Sequence, residues 1–500
     1  MNVLVDKTYT YSFKMMVWIV FAIILCRLTD GWFTLFIATM GVWCALAKKP
    51  GWAICHYILL PFLLSVNYIL LPKSGMVWNI GVRAGPLLIS LAMMVGAVRR
   101  PGNHRLPFAG ILPFLFVACI SSAVGYVPQI SYMKLINYFL FLVGLWLGTQ
   151  NLHKSPNDIR VVRSMILALI FLVVYASIAL IPFPAVSFAT SMRGLYEVES
   201  LQNINAIGRE MLAAGDQTLF CGMMCHSQWL SPFLAVSILL IICDMLFVEK
   251  KIRYPHVITI ILMLPLLYMT RSRVAIVTFT AGIFLVNIYT ITKLQLAPRI
   301  KRFVRVGMAI LSVVIVVGGV ASEFRHQTIS RWLRKTDDVA SDKRGITEAV
   351  TDSRRGLIEE CLFDFRRNPL FGSGFQVDIL SQDIWQRSSG LVLSAPIEKG
   401  VLPVMVLGET GIVGEVFFVF FLISFYITCE KRHLFVTITM FAILFISNLG
   451  EATFFSPGGL GGVLWIMTII GGFSIDTIIL YANQRLYANQ RLYANQRLLI

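Results

Sequence analysis

Long runs almost free of charge, such as Val257–Met269, Val306–Val320 and Val401–Ile427, constrain this chain more than any other feature. A helix that crosses a bilayer needs about 20 mostly apolar residues. Such runs recur near 12–26, 31–47, 52–71, 84–97, 107–124, 135–149, 164–183, 229–247, 255–270, 274–291, 304–320, 401–428, 435–450 and 459–480. Of the 500 residues, 57% are hydrophobic and 14% charged, with a mean hydropathy of +0.75. An ordinary soluble domain carries roughly 25% charged residues, and an aqueous fold of this composition would expose large apolar patches. The sequence therefore predicts an all-α polytopic membrane protein with about 12–14 transmembrane helices and a large, partly helical periplasmic loop.

The net charge of +17 is distributed as a topology signal rather than as a nucleic-acid surface. Read alternately, one set of gaps holds Lys48–Lys49, Arg99–Arg100–Arg105, Lys154–Arg160–Arg163, Lys250–Lys251–Arg253, Lys293–Arg299–Lys301–Arg302–Arg305 and Lys431–Arg432. The other set is poorer in basic residues, apart from two long loops. Cytoplasmic loops carry the Lys and Arg excess, so both termini are expected in the cytoplasm and no nucleic-acid partner is expected. The first run follows Lys7 and Lys14 and reaches Arg27 without a small-residue cleavage site, so it reads as a first span rather than a cleaved signal. Cys221, Cys225 and Cys361 fall on the oxidising side, where a disulfide can form; free apolar thiols are the expectation.

This alternation divides the chain into N-terminal spans (1–183), a first outer loop (184–228), central spans (229–320), a large outer loop (321–400), C-terminal spans (401–480) and a cytoplasmic tail (481–500). The tail belongs to a direct repeat, with Leu480–Arg485, Leu486–Arg491 and Leu492–Arg497 all reading LYANQR. It is expected to lie along the inner leaflet without a catalytic role. The large outer loop is too long for a connector. Within it Leu357, Ile358, Cys361, Leu362 and Phe365 recur three or four residues apart, which predicts an amphipathic helix over Arg354–Arg367. Asp352 and Ser353 can cap its start, and Asn368–Pro369 ends it. Between Glu323 and Lys399 there are twelve basic and twelve acidic side chains, so basic residues are available for specific pairing without making the loop a general attractor.

Several kinds of chemistry are absent from the sequence. It has no GxxxxGK[ST] phosphate loop, no Asp-x-Asp pair, no HExxH and no paired CxxC, and its seven histidines are dispersed. Neither a metal site nor a cofactor is expected. What stands out is a set of arginines. Arg271 and Arg273 lie in the sequence TRSR between two spans, where charges near apolar runs are costly unless paired or hydrated. They can be interfacial anchors or an anion site, since the guanidinium fork fits phosphate oxygens and keeps its charge. Arg354 and Arg355 stand at the expected helix start, where the helix dipole disfavours cations. After that helix come Asn368, Pro369, Leu370, Phe371, Gly372, Ser373, Gly374 and Phe375; Gly372 and Gly374 permit a tight turn or a close backbone approach.

The order of these features resembles the O-antigen ligase and O-antigen polymerase superfamily. The resemblance rests on Ser272-Arg273, Ser353-Arg354-Arg355, the NPLFGSGF segment Asn368–Phe375 and the GETGIVG segment from Gly408 through Glu409 to Gly414. Cys225-His226-Ser227-Gln228 occupies the place of a polar motif in the family. It covers roughly residues 220–430. It implies a glycosyltransferase at the outer face of the bacterial inner membrane, with an undecaprenyl-diphosphate-linked oligosaccharide as donor and a glycan or lipid as acceptor. Other polysaccharide-assembly proteins are implied as further partners. Arginines would stabilise the departing diphosphate without a metal, and direct displacement would invert the anomeric carbon with help from a general base. Many ligases of the family carry a His-Asn pair where this chain reads Ser394–Gly400, and no histidine lies between His326 and His433. Glu398 is the nearest candidate for the base.

The expected catalytic residues are thus Glu398, Arg355 and Arg273, and the expected substrate-binding residues are Arg271, Arg354, His226, Asn368, Gly372, Gly374, Lys399 and Glu409. Polymerase and ligase both remain open. A carrier for lipid-linked oligosaccharide is the main alternative, although such carriers commonly show two related halves and short loops; a non-enzymatic scaffold or sensor is the third.

Overall fold

The structure is a computed structural model that describes residues 8–67, 69–71, 76–98, 110–152, 155–189, 219–249, 253–293, 346–377, 401–450 and 453–482. In hydrocarbon every peptide N–H and C=O needs a partner, and a helix supplies these within itself. The chain follows that rule: it is an all-α polytopic membrane protein. Among the described residues, six helices are long and apolar enough to cross a membrane, and seven shorter apolar helices accompany them. The expected span 304–320 lies outside the described residues.

The helices are α1 (Thr8–Leu28), α2 (Trp32–Leu46), α3 (Pro50–Ser65), α4 (Gly85–Val98), α5 (Ile111–Val124), α6 (Pro128–Leu152), α7 (Pro156–Ala179), α8 (Ser227–Cys243), α9 (Tyr254–Met269), α10 (Arg273–Lys293), α11 (Ile346–Arg367), α12 (Leu402–Lys431), α13 (Phe435–Ser447) and α14 (Leu460–Trp465). Three π-helical stretches add to these: Ile80–Ala84 leads into α4, Asp244–Glu249 extends α8 and Ile466–Gly471 extends α14. A two-residue antiparallel pair, Phe188–Ala189 with Leu219–Phe220, lies between α7 and α8 in the chain. α1 packs on α7, α2 on α3 and α4, and α4 on α6. α12 packs on both α5 and α11, and α10 packs on α8 and α13. Large apolar side chains such as Ile412, Val416, Val419, Phe420 and Ile423 of α12 remain exposed, as expected of a surface that meets lipid.

The turns of the described helices gather at two ends, one of them marked by contacts such as Gly125 with Gly374 and Val274 with Gly450. One end holds α11 and the turns near 30, 67, 126, 271 and 450; we call it the loop end. The other holds Thr8 and Ala482 and is the terminal end.

A buried ion cluster ties the terminal end together. Arg163 of α7 donates through Nε to Asp244 Oδ1 at 2.6 Å and through Nη2 to Asp244 Oδ2 at 2.7 Å and Glu249 Oε1 at 2.6 Å. Glu249 Oε2 accepts from Arg253 Nε at 3.1 Å. His256 lies between Asp244 Oδ2, 3.1 Å from Nε2, and the Tyr9 hydroxyl, 2.8 Å from Nδ1. The π-helical turn explains how both acids reach one arginine. Residues five apart lie about 140° apart on an α-helix, whereas the i→i+5 closure of a π-helix returns them to one face. Beside the cluster a cavity of about 20 Å³ is lined by Arg163, Asp244, Leu240, Gly471 and Ser474. Arg163 was expected among the loop charges that report topology; it lies instead within α7, buried, because two carboxylates neutralise it there.

One sequence expectation is corrected in the outer loop. The helix starts at Ile346, not at Arg354, and runs to Arg367. Asp352 and Ser353 are interior residues of α11, and Arg354 and Arg355 lie near its middle. Its end before Asn368–Pro369 is as expected.

Candidate functional site

The two motifs singled out from the sequence, 368–375 and 409–414, meet at the loop end and interlock. α12 is broken at Gly411, whose φ of 67° and ψ of −172° interrupt the helical path. In an unbroken helix the N–H groups of Ile412 and Val413 would donate to the carbonyls of Gly408 and Glu409. Here those N–H groups donate to Pro369 O at 2.9 Å and Leu370 O at 3.4 Å. The carbonyls of Gly408 and Glu409 accept instead from the N–H groups of Ser373 and Gly374, both at 3.0 Å. The segment 369–374 is thus inserted, peptide by peptide, into the gap in the helix. Below the break, Ile412–Lys431 is by itself long enough to cross the hydrocarbon core, about 30 Å.

The insertion demands close backbone approach. A Cβ on Gly411 would collide with the Leu370 carbonyl, and one on Gly372 with the Glu409 backbone; both glycines have positive φ. Gly408 lies against Cys361, which seats α11 on α12. Asn368 closes the turn: its carbonyl accepts from Gly372 N at 2.8 Å.

Charged side chains hold the far end of the segment. Glu409, 2% exposed, accepts from Gln376 N through Oε2 at 2.9 Å. Lys134 of α6, 1% exposed, donates through Nζ to Gln376 O at 2.6 Å. The Gln376 side-chain amide donates to the Phe455 carbonyl. Ser121 Oγ donates to Glu409 O at 2.6 Å and Ser131 Oγ to Phe375 O at 2.8 Å. The Phe375 ring is fully buried among Phe114, Tyr138 and Phe455, with ring centroids 6.5, 6.1 and 5.3 Å away. On the other flank the Tyr126 hydroxyl donates to Asp364 of α11 at 2.9 Å. Burial, then the Asp364 carboxylate, raises the Tyr126 phenol above its ordinary range.

Arg271 and Arg273 occupy the turn between α9 and α10 at the same end. Arg271 has a φ of 50°, in the left-handed region, which costs a side-chain-bearing residue roughly 1–2 kcal/mol. Ser272 caps α10, its Oγ accepting from Ala275 N at 3.4 Å. Arg273 is the first residue of α10, so the conflict between a cation and a helix N-terminus, expected at Arg354, occurs here. The neighbouring Val274 packs against Gly450. Two residues before Gly450, the Asn448 carbonyl accepts from Leu402 N, 3.1 Å away, at the start of α12. The Ser-Arg turn and the start of the broken helix are therefore joined through residues 448–450.

The other candidates stand apart from the interlock. His226 caps α8, its Nδ1 accepting from Gln228 N at 3.1 Å. Arg355 stands on the exposed face of α11, where Nε donates to Glu359 at 2.8 Å. Arg354 lies within α11. Glu398 and Lys399 lie outside the described residues. Among the described residues no group of three or more His, Cys, Asp or Glu side chains could hold a metal ion.

Sequence reasoning missed Lys134, Gln376 and the Tyr126–Asp364 contact. Lys134 had a signal: it is the one charge in the apolar stretch from Pro128 to Leu152. It falls at the edge of the expected span, where a charge reads as a flank. Comparison with protein-family models and with curated proteins finds no match.

Proposed function

We propose that the protein is a membrane glycosyltransferase that transfers or polymerises a glycan from an undecaprenyl-diphosphate-linked donor at the periplasmic face of a bacterial inner membrane, in O-antigen or exopolysaccharide synthesis. The observation that carries this reading is the interlock: the two motifs that resemble the O-antigen ligase and polymerase superfamily form one contiguous unit. The Ser-Arg turn is linked to it through residues 448–450. A lipid-linked donor would present its diphosphate at the membrane face, where arginines can stabilise the charge gained on leaving. Arg273, with Arg271 beside it, is assigned that role, and Arg355 is assigned to the loop side of the same substrate. Glu398 remains the candidate base, and the chemistry would be metal-independent and inverting.

The test is transfer in vitro from purified lipid-linked donor at matched protein levels. Arg273→Ala and Arg355→Ala are each expected to lose about 2–4 kcal/mol of transition-state stabilisation, a slowing of roughly 30- to 1000-fold. Lys at either position should rescue only in part, because it keeps the charge and loses the fork. Wild-type turnover in both Ala variants would move the site elsewhere.

The buried cluster of Arg163, Asp244, Glu249 and His256 favours a second reading, a carrier for the same lipid-linked oligosaccharide, because ionisable groups inside membrane bundles commonly line transport paths. Equilibration of labelled donor across liposomes by the reconstituted protein, with no product formed, would replace the first reading with the second.

A further inference from the structure

We propose that His256 is a proton-binding site at the terminal end of the bundle, taking one proton at Nδ1 from solvent through the Tyr9 hydroxyl. The proposal does not rest on the transferase reading.

The bonds of the buried cluster fix which atom can take a proton. Asp244 is held by the guanidinium fork of Arg163, so its carboxylate accepts and does not donate. His256 Nε2, 3.1 Å from Asp244 Oδ2, therefore carries the ring proton. Nδ1 keeps a lone pair, and the Tyr9 hydroxyl donates to it at 2.8 Å. Arg163 and Arg253 balance Asp244 and Glu249, so a neutral His256 leaves the cluster neutral. Both oxygens of Asp244 and both of Glu249 already face arginine. A proton added to either carboxylate would take a counter-ion from a buried guanidinium, which is expensive. A proton added to Nδ1 breaks no pair. The Tyr9 hydroxyl turns and accepts where it had donated, and the imidazolium has Asp244 as its counter-ion.

His256 is fully buried, so its proton needs a carrier. The Tyr9–His256 bond is only partly buried, whereas the His256–Asp244 bond is buried; solvent therefore reaches the pair from the Tyr9 side. Tyr9 is the second residue of α1, and the partly exposed Arg253 guanidinium stands 5.8 Å from its ring centroid. The transfer balances: the phenol gives its proton to Nδ1 and takes one from water. Tyr9 ends unchanged, and His256 gains one proton and one positive charge. Among the described residues, the charged and titratable groups around His256 are Tyr9 from α1, Arg163 from α7, Asp244 and Glu249 from the π-helical end of α8, and Arg253 just before α9. Tyr175 of α7 is engaged with Thr259 at 3.3 Å, and Phe171 covers the ring at 6.0 Å between centroids. Beside Asp244, the cavity of about 20 Å³ has room for one water against Arg163, Asp244 and Ser474, which can solvate the added charge. The first turn of α1 shares the cluster, since Thr8 accepts from Arg163 Nη1 at 3.2 Å and from Ser164 Oγ at 3.4 Å. Proton uptake is thereby linked to the seating of α1.

The experiment uses the full-length protein in proteoliposomes, with isotope-labelled histidine, and records solid-state nitrogen spectra as the pH is lowered. The His256 signal is identified by its loss in His256→Asn and, independently, by magnetisation transfer to the Tyr9 ring, 5.5 Å away between centroids. At the alkaline end the ring should show a protonated Nε2 and a bare Nδ1. Lowering the pH should add one proton at Nδ1 while the carboxyl signals of Asp244 and Glu249 stay those of carboxylates. In Tyr9→Phe the uptake should persist, but proton exchange between His256 and solvent should slow by about tenfold or more, because it then waits for the cluster to open. A proton on Nδ1 throughout, uptake by a carboxylate before His256, or no uptake before the protein unfolds would each overturn the site. Exchange in Tyr9→Phe as fast as in the wild type would overturn delivery through Tyr9. The wild-type titration decides the site without any variant, and none of these outcomes bears on Arg273 or Arg355.

Discussion

At the scale of single residues, the interlock depends on side chains that are missing. Gly411 and Gly372 each face another backbone where a Cβ would stand, and each has a positive φ. Gly411→Ala should therefore destabilise the protein by about 2–4 kcal/mol, combining the left-handed penalty with overpacking. Gly356 offers the contrast: it is exposed within α11, and nothing lies within 4 Å of where its Cβ would be. Gly356→Ala should stabilise by roughly 0.5–1 kcal/mol. Thermal unfolding in one detergent decides both, and equal shifts for the two variants would contradict the interlock. The sequence marked Gly372, Gly374 and Glu409 as special but could not say what they touch. Their partners lie far away in the chain, and a glycine pair signals close approach without naming the neighbour. Lys134 was less legible still, because a charge at the edge of an apolar run looks like a flank.

At the scale of elements, the sequence described helices well where only the solvent decides and poorly where a neighbour decides. The spans followed from apolar length. The start of α11 did not, because Asp352 and Ser353 look like caps, and a cap contributes only about 1 kcal/mol, which a continuing helix can override. The break in α12 was invisible for the same reason: Val401–Ile427 reads as one run, and the break exists because residues 369–374 satisfy the groups it frees. Replacing Thr410-Gly411 by Ala-Ala should straighten α12 and release α11. The thiol of Cys361, buried against Gly408, should then react with maleimide at least about tenfold faster; protection at the wild-type level would count against the coupling. At the terminal end, Arg163→Ala should cost about 3–5 kcal/mol, since it leaves the buried Asp244 with only His256, and the buried Glu249 with only Arg253, of the partners described above. Arg253→Ala, which removes a partly exposed partner, should cost under about 1 kcal/mol. Thermal midpoints of the two variants measure that difference.

At the scale of the whole molecule, the Lys and Arg excess in one set of gaps predicts which of the two ends faces the cytoplasm. If the loop end faces the periplasm, Gly356→Cys in a cysteine-free background should label in intact spheroplasts. Labelling only after the membrane is permeabilised would invert the topology and remove the outer-face reading with it. The broken helix also bears on how the protein is made. α12 enters the membrane carrying two N–H and two C=O groups that it cannot satisfy alone, an expensive state in lipid. The segment that answers them, 369–374, lies upstream and leaves the ribosome first. Synthesis in chain order therefore delivers the docking strand before the helix that needs it. A split protein whose second fragment, 401–500, is produced before the first would have to insert a helix with an open gap.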